Sequence, residues 1–272
     1  MIHPKKQLGQ NFLTSSDIAK KIADAGEIKA SDTIIEIGPG TGILTEELIK
    51  TGAQILAIEK DFELIETLKK NIGTPKNLKL IHQDALWFSL DLIPKNYKVV
   101  ANIPYNITSP LIRKFLDDKN KPSLMVLMVQ KEVAERICAK AGSSDRGLLT
   151  LMVEFYADAE ILFEVGKDNF YPVPKVDSAV IKITTKSHTG CADKSVQPDP
   201  DLFFKIVKAG FSSKRRQIHN SLSATLRLEK DITNNILRES KINPTLRAED
   251  LTLKQWFYLF KTIEKIYTKE DE

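Results

Sequence analysis

An amide, a proline and an aromatic ring stand together in the tetrapeptide Asn102-Ile103-Pro104-Tyr105, at the end of the run YKVVANIP (97–104). The first part of this run has the pattern of a buried strand, so the tetrapeptide is expected where a strand ends. An asparagine amide accepts and donates hydrogen bonds, proline has no N–H and a fixed φ, and a tyrosine ring stacks on planar groups. In an open α/β sheet, polar groups at the end of a strand mark a candidate ligand site.

A glycine-rich turn provides a second candidate site, in the segment IIEIGPGTGIL (34–44). Gly38, Gly40 and Gly42 lie between a predicted strand and a predicted helix, where glycine lets the backbone approach a ligand and the helix N-terminus offers free N–H groups. The spacing is G-x-G-x-G, because position 43 is Ile. Dinucleotide-binding turns have G-x-G-x-x-G, so the spacing counts against NAD.

Carboxylates follow at the ends of the next two predicted strands. Glu59 ends LAIE and Asp84 lies in HQDAL. The first could accept hydrogen bonds from both hydroxyls of a ribose, and the second could accept one from the amino group of an adenine. Parallel strands end at the same edge of a sheet, so these acids and Asn102 should line one site. Enzymes that use NAD place an acid similarly, so the acids alone leave two cofactors open.

Alternating strand and helix patterns predict the fold class. The strand-like runs lie at 33–38, 53–59, 78–85, 97–104 and 123–130, and helical patterns at 42–51 and 62–71. This alternation predicts βαβ units and a mostly parallel, Rossmann-like sheet, that is, an α/β fold. A last strand is expected at 178–186. The polar segment 187–195 then has the composition of a linker, and helical patterns alone follow. We therefore predict an α/β domain over 1–186 and a smaller all-α domain over 196–272.

The positive charge is unevenly distributed. Residues 187–272 contain 15 Lys and Arg against 12 Asp and Glu, whereas residues 1–186 contain 25 against 24. The stretch 202–228 has six cations and no acid. These cations are Lys205, Lys208, Lys214, Arg215, Arg216 and Arg227. A charge run is often a solvated helix face, but the lack of acids here favours contact with a polyanion such as nucleic acid.

Several classes of protein are disfavoured by composition. The two cysteines, Cys138 and Cys191, are far apart and outside any C-x-x-C pattern, which argues against a disulfide framework and favours a reducing cytoplasm. The four histidines have no metal-ligand spacing, so we expect no metal. The first thirty residues contain no apolar signal-peptide core, and the run LMVLMV (124–129) is too short to span a bilayer. We expect no membrane insertion.

Taken together, the motifs resemble a known family over essentially the whole chain, in order. They are KKQLGQNFL, EIGPGTG, Glu59, QDAL, NIPYNITSP, FYPVPKVDSAV and FSSKRRQIHNSL. This set is similar to the S-adenosylmethionine-dependent ribosomal RNA adenine N6-dimethyltransferases, most of all to their small-subunit (16S) type, whose loss gives kasugamycin resistance. The segment SSDRGLLTLM (143–152) departs from the Tyr-Gly-Arg run that is common in the family.

The resemblance implies S-adenosylmethionine as cofactor and assigns residues to roles. The implied cofactor-binding residues are Asn11, Leu13, Gly38, Gly40, Glu59, Asp84, Ala85 and Asn102. The implied catalytic residues are Asn102, Pro104, Tyr105 and Phe170. The Asn102 side-chain oxygen and the carbonyl of Ile103 or Pro104 would accept both N–H groups of an adenine amine, while Tyr105 and Phe170 would stack on the base.

The implied target is a pair of adjacent adenosines in the 3′-terminal hairpin of 16S rRNA within an immature small ribosomal subunit. Lys214, Arg215 and Arg216 would grip the RNA, and we expect a monomer. Three alternatives stay open at this point. They are a 23S rRNA adenine methyltransferase of the macrolide-resistance type, a non-catalytic rRNA-binding assembly factor and a nicotinamide dehydrogenase.

Overall fold

The computed structural model describes residues 4–5, 8–186 and 198–270, with the side chains of the last helix described to residue 266. Contacts between Cα atoms divide the chain into two compact units. The sheet unit comprises the residues up to 135 together with 158–185, and the helical unit comprises 136–157 and the residues from 186 onward. The predicted linker 187–195 lies outside the described residues.

A seven-stranded sheet forms the centre of the sheet unit. The described strands, which include two outside this sheet, are β1 (Phe12–Leu13), β2 (Thr33–Ile37), β3 (Gln54–Glu59), β4 (Leu78–His82), β5 (Lys98–Asn102), β6 (Leu124–Gln130), β7 (Ala157–Val165), β8 (Phe170–Tyr171) and β9 (Ser178–Thr185). The order across the sheet is β4-β3-β2-β5-β6-β9-β7, and β1 pairs with β8 in a separate two-stranded sheet. The pairs from β4 to β6 are parallel, and β9 pairs with β6 antiparallel.

Helices follow most of the strands in sequence. They are α1 (Ser16–Ala25), α2 (Ile43–Lys50), α3 (Phe62–Ile72), α4 (Thr108–Asp117), α5 (Lys131–Ile137), α6 (Leu148–Tyr156), α7 (Pro200–Gly210), α8 (Ile218–Leu226), α9 (Lys230–Glu239) and α10 (Leu253–Glu270). None of these helices, within the part of the chain that is described, has the length and hydrophobicity needed to cross a bilayer.

The core of the sheet unit explains why its strands are nearly continuous hydrophobic runs. Strands inside a parallel sheet are covered on both faces, so both sets of alternating side chains are buried. In β6, every residue from Leu124 to Val129 is buried. Ile22 of α1 and Leu48 of α2 pack in one cluster with Ile34 of β2 and Val126 of β6. These helices therefore cover one face of the sheet.

Aromatic packing organises the helical unit. The ring of Phe155 in α6 lies 4.7 Å from that of Phe203 in α7 and 5.7 Å from that of Phe257 in α10. The buried guanidinium of Arg146 forms two 2.7 Å hydrogen bonds with the carboxylate of Glu154. The ring contacts join residues 136–157 to the C-terminal helices, which the sequence-predicted division into 1–186 and 196–272 did not anticipate.

Candidate active site

The carboxyl edge of the sheet opens into one cavity within the sheet unit. It is lined by residues 8–13, 36–41, 58–60, 83–85 and 102–107, with further contacts from α2 and α3. All eight residues predicted to bind a cofactor lie in these segments, as do Pro104 and Tyr105. The sheet order β4-β3-β2-β5 explains this placement, because the four loops that follow these strands leave the same edge side by side.

The glycine-rich turn requires glycine for steric reasons. Gly40 has a φ of 59°, in the left-handed region, and a Cβ there would lie 3.0 Å from Cδ1 of Phe12. Gly42 has a φ of 97°, and a Cβ would overlap the methyl groups of Leu68 and Ile72 in α3. No side chain caps the N-terminus of α2, which begins directly after Gly42. The glycines therefore allow close local packing, and the uncapped N-terminus of α2 offers free backbone N–H groups to a ligand.

Glu59 at the end of β3 is a buried acid, 7% exposed. Its Oε1 accepts a 2.8 Å hydrogen bond from the backbone N–H of Asp61. Burial raises the pKa of Glu59, and hydrogen bonds from the backbone of Asp61, Gly40 and Lys60 oppose that rise. The carboxylate is thus held in one orientation at the cavity wall.

A polar network ties the N-terminal segment to the same wall. The Asp61 carboxylate accepts a 2.8 Å bond from Lys5 Nζ and a 3.0 Å bond from Gln10 Nε2. Gln10 Oε1 in turn accepts a 2.7 Å bond from the backbone N–H of Lys5. Lys5 and the other hydrogen-bond donors outweigh the effect of burial and lower the pKa of Asp61. The sequence motifs did not reveal that Asp61 anchors the segment that carries Asn11.

Asp84 lies in the loop after β4, because this strand ends at His82 rather than at the predicted residue 85. Its Oδ2 pairs with Lys60 Nζ at 2.9 Å, and its Oδ1 accepts a 2.9 Å bond from the backbone N–H of Leu86. The bond with Lys60 lowers the pKa of Asp84. Asp84 is therefore an ionised acceptor at the cavity mouth.

The tetrapeptide 102–105 turns away from the sheet at the cavity. The backbone N–H of Ile103 still bonds to the Met128 carbonyl at 3.2 Å, so β6 supports the end of β5. Asn102 Nδ2 donates to the Asn11 carbonyl at 3.5 Å, and the described residues supply no donor to Asn102 Oδ1. The amide oxygen of Asn102 is thus available as an acceptor. Tyr105 Oη lies 2.7 Å from Ser178 Oγ.

Two other predicted groups lie outside the cavity. Phe170 is 3% exposed, pairs with Leu13 between β8 and β1, and belongs to the hydrophobic core. Lys214, Arg215 and Arg216 are exposed in the turn between α7 and α8 of the helical unit. Among the described residues, no group of three or more His, Cys, Asp or Glu side chains could hold a metal ion.

Glu36 is a cavity residue to which the sequence analysis gave no role, although it begins the motif EIGPGTG. It belongs to β2, is 1% exposed and lines the cavity. Its Oε2 is buried without a hydrogen-bond partner among the described residues. Burial raises the pKa of Glu36 to about 8, the nearby Thr45 hydroxyl opposes the rise, and the charge of Glu59 adds to it. The available signal was a charged residue inside the hydrophobic strand TIIEI.

Comparison with known proteins identifies the family. Residues 1–265 match the family described as "Ribosomal RNA adenine dimethylase". The chain belongs to this family. It is therefore an enzyme that methylates adenine in ribosomal RNA, and the enzyme class predicted from the motifs is confirmed. Membership removes the nicotinamide dehydrogenase and the non-catalytic factor as primary functions.

Curated relatives agree with this assignment. The chain is 43% identical over 255 residues to "Ribosomal RNA small subunit methyltransferase A" of Dehalococcoides mccartyi strain BAV1. The matched region covers 93% of this chain and 86% of the relative. The chain is also 43% identical over 262 residues to the protein of the same name from Fusobacterium nucleatum, covering 96% and 97%.

Solved structures confirm the α/β fold class. A dimethyladenosine transferase from Plasmodium falciparum matches with a TM-score of 0.77 and 28% identity, covering 93% of this chain and 98% of that one. The 23S rRNA methyltransferase ErmE matches with a TM-score of 0.71 and 23% identity, covering 93% and 100%. The second likeness is one of fold alone.

Proposed function

We propose that this family member uses S-adenosylmethionine to dimethylate N6 of two adjacent adenosines in the 3′-terminal hairpin of 16S rRNA. The observation that carries the proposal is the placement of Gly40, Glu59, Asp84 and Asn102 around one cavity. The names of the bacterial relatives support the small subunit as target. Ribosomal RNA of bacteria is modified in the cytoplasm, so we place the enzyme there.

The cavity fits this cofactor on steric and chemical grounds. S-adenosylmethionine supplies a methyl group on a sulfonium, which is an excellent leaving group. Gly38 and Gly40 line the cavity with backbone alone, so no side chain of the turn fills the space that a ligand would need. The fixed, buried carboxylate of Glu59 suits two ribose hydroxyls, and ionised Asp84 beside Ala85 suits the adenine amine. Asn11 and Leu13 would complete the wall.

Asn102 would orient the substrate amine. The lone pair of an exocyclic adenine amine is delocalised into the ring, so the amine is a poor nucleophile. Asn102 Oδ1 and the carbonyl of Ile103 or Pro104 would accept its two N–H bonds and turn the lone pair toward the methyl group. Proline fixes φ before the turn and lacks a competing donor. Positioning and exclusion of water would then supply most of the rate enhancement.

Stacking would hold the flipped base. Tyr105 lines the cavity, and its hydroxyl bond to Ser178 restrains the ring. Base–aromatic stacking contributes roughly 1–3 kcal/mol and would offset much of the cost of unstacking the base. Phe170 lies in the core and not in the cavity wall. Its proposed role as the second aromatic ring stacked on the base therefore rests on the family resemblance alone.

The helical unit would bind the RNA. Lys214, Arg215 and Arg216 present three exposed cations in one turn, in a stretch without acids. Phosphate contacts provide affinity without sequence information. The basic turn would therefore supply affinity for RNA, and the cavity would recognise the adenine base. The proposed substrate is an immature small subunit, and the proposed acting form is a monomer.

Primer extension on small-subunit rRNA tests this function. A dimethylated adenine blocks reverse transcriptase, so the stop should vanish in cells that lack the gene and return with the wild-type chain. Purified protein should transfer methyl groups from S-adenosylmethionine to immature small subunits of those cells. Transfer to 23S rRNA instead would establish the macrolide-resistance alternative and contradict the proposal.

A further inference from the structure

Glu36 is a buried carboxyl group at the cavity that the proposed reaction does not use. Its Oε2 has no hydrogen-bond partner among the described residues, and the Thr45 hydroxyl on α2 lies beside it, outside hydrogen-bonding geometry but close enough to favour the ionised form. A buried carboxylate without a counter-charge is unfavourable, and such a group takes up a proton instead. The protein by itself therefore favours the neutral acid at position 36.

The surrounding charges reinforce this preference. Charged groups reach the cavity from β3 and the loops after β3 and β4. They are Glu59, Lys60 and Asp84. Lys60 is paired with Asp84 at 2.9 Å, and Glu59 is the charged group that acts on Glu36, through repulsion. The residue that β5 contributes to the cavity lining, Asn102, is neutral. The residue of α2 that lies beside Glu36, Thr45, is also neutral. Glu59 and Asp84 already outnumber Lys60, so an ionised Glu36 would add to the negative charge of the cavity.

The sheet order places Glu36 on the path of a bound cofactor. β2 lies between β3, which ends in Glu59, and β5, which ends in Asn102. A cofactor held at Glu59 and reacting at Asn102 must pass the end of β2. S-adenosylmethionine has one net positive charge, from its sulfonium, whereas the product S-adenosylhomocysteine is neutral overall.

We propose that Glu36 is protonated in the cofactor-free protein and releases its proton to solvent when the cationic cofactor binds, so that the cavity distinguishes S-adenosylmethionine from its neutral product. The inference rests on the proposed function. The ionised acid stabilises the sulfonium form, and loss of the positive charge on methyl transfer leaves Glu36 to take a proton back. Product release is thereby favoured over retention.

Linkage makes the proposal measurable. If a group loses a proton on binding, affinity rises with pH by up to about tenfold per unit below the pKa of the free protein. The pKa of Glu36, about 8, places this range around neutral pH. S-adenosylmethionine affinity should therefore rise from pH 6 to pH 8 and then level off. The affinity for S-adenosylhomocysteine should change much less.

Calorimetry in buffers of different ionisation enthalpy provides the test, with wild type, Glu36→Gln and Thr45→Val. At pH 7 the wild type should release about one proton more than Glu36→Gln on binding S-adenosylmethionine, and the difference should be near zero for S-adenosylhomocysteine. The amino group of the cofactor also titrates, but S-adenosylhomocysteine has the same amino group, so the difference between the two ligands isolates the response to the sulfonium. At pH 9, Glu36→Gln should bind S-adenosylmethionine at least about tenfold more weakly than wild type.

Thr45→Val keeps the test valid even if Glu36→Gln folds poorly. The Thr45 hydroxyl lowers the pKa of Glu36, so its removal should shift the proton release to higher pH. Equal proton release by wild type and Glu36→Gln, or equal release with cofactor and product, would overturn the proton exchange. A wild type that binds no S-adenosylmethionine at all would instead overturn the proposed function on which it rests.

Discussion

Tyr105 Oη and Ser178 Oγ lie 2.7 Å apart, in a hydrogen bond that joins the turn after β5 to the first residue of β9. β6 separates these two strands in the sheet, so the bond crosses a whole strand. Ser178 is fully buried, and burial raises the pKa of Tyr105 while the bond to Ser178 opposes the rise. The sheet thus fixes the direction of the ring at the cavity.

A double-mutant cycle should reveal this restraint. Ser178→Ala and Tyr105→Phe each remove the bond and should reduce methyl transfer several-fold, with little effect on S-adenosylmethionine affinity. Since both changes delete the same interaction, the double variant should resemble either single variant. Tyr105→Ala, which also removes stacking, should lose roughly a further 1–3 kcal/mol. Additive effects of Ser178→Ala and Tyr105→Phe in single-turnover assays would count against the restraint.

Asn102→Ala should abolish most methyl transfer while the protein stays folded. The change removes Oδ1, the acceptor that orients the amine, so the rate should fall by orders of magnitude. Cofactor affinity should change far less, because Oδ1 is assigned to the substrate amine while Glu59 and Asp84 are assigned to the cofactor. Single-turnover rates and calorimetry measure the two effects separately. Turnover near that of wild type would rule out the orienting role.

Glu59→Ala should weaken S-adenosylmethionine binding by about 1–3 kcal/mol, or roughly 5- to 150-fold, because ribose hydroxyls lose a buried acceptor. Glu63→Gln is the matched control. Its carboxylate is 79% exposed and pairs with Lys5 at 3.2 Å outside the cavity lining. Calorimetry should show nearly unchanged affinity for the control. The assignment fails if Glu59→Ala binds the cofactor as wild type does.

Replacing Lys214, Arg215 and Arg216 with Ala should weaken RNA binding without affecting cofactor affinity. If each cation neutralises one phosphate, the slope of log affinity against log salt should decrease by roughly 2, at about 0.7 per single-strand phosphate. Lys76, Lys79 and Lys95, exposed on the sheet unit, provide a control with the same charge change. Equal salt slopes for the two triple variants would mean that the basic turn is a solvated surface.

The buried acid Glu36 should make stability depend on pH. Its pKa is about 8 in the folded protein against 4.5 as the ordinary value, so between these values the folded state holds a proton that the unfolded state has lost. The free energy of unfolding should therefore fall as pH rises through this range, by up to about 1.4 kcal/mol per unit. Glu36→Gln should lack this component. Denaturant unfolding at pH 5, 6.5 and 8 should show the free energy of unfolding of Glu36→Gln rising relative to that of wild type. An equal dependence on pH in both proteins would contradict the prediction.

Local patterns in the sequence were sufficient to predict the catalytic sheet and the loops at its edge. Continuous hydrophobic runs mark strands that are covered on both faces, and a ligand site lies where parallel strands end. The sequence alone therefore assigns Glu59, Asp84 and Asn102 to one site. The glycine-rich turn could also be recognised from the sequence, because the backbone conformation at Gly40 depends on residues that are close in the chain.

Only the tertiary structure decided which distant residues meet. Strand β7, the joining of 136–157 to the helical unit, the Lys5–Asp61 bond and the burial of Phe170 all arise from contacts between segments far apart in sequence. The same holds for Glu36. In the sequence it is one acid in a strand, and it becomes a group with a raised pKa because the packing of β2, β3 and α2 removes water from its carboxyl group.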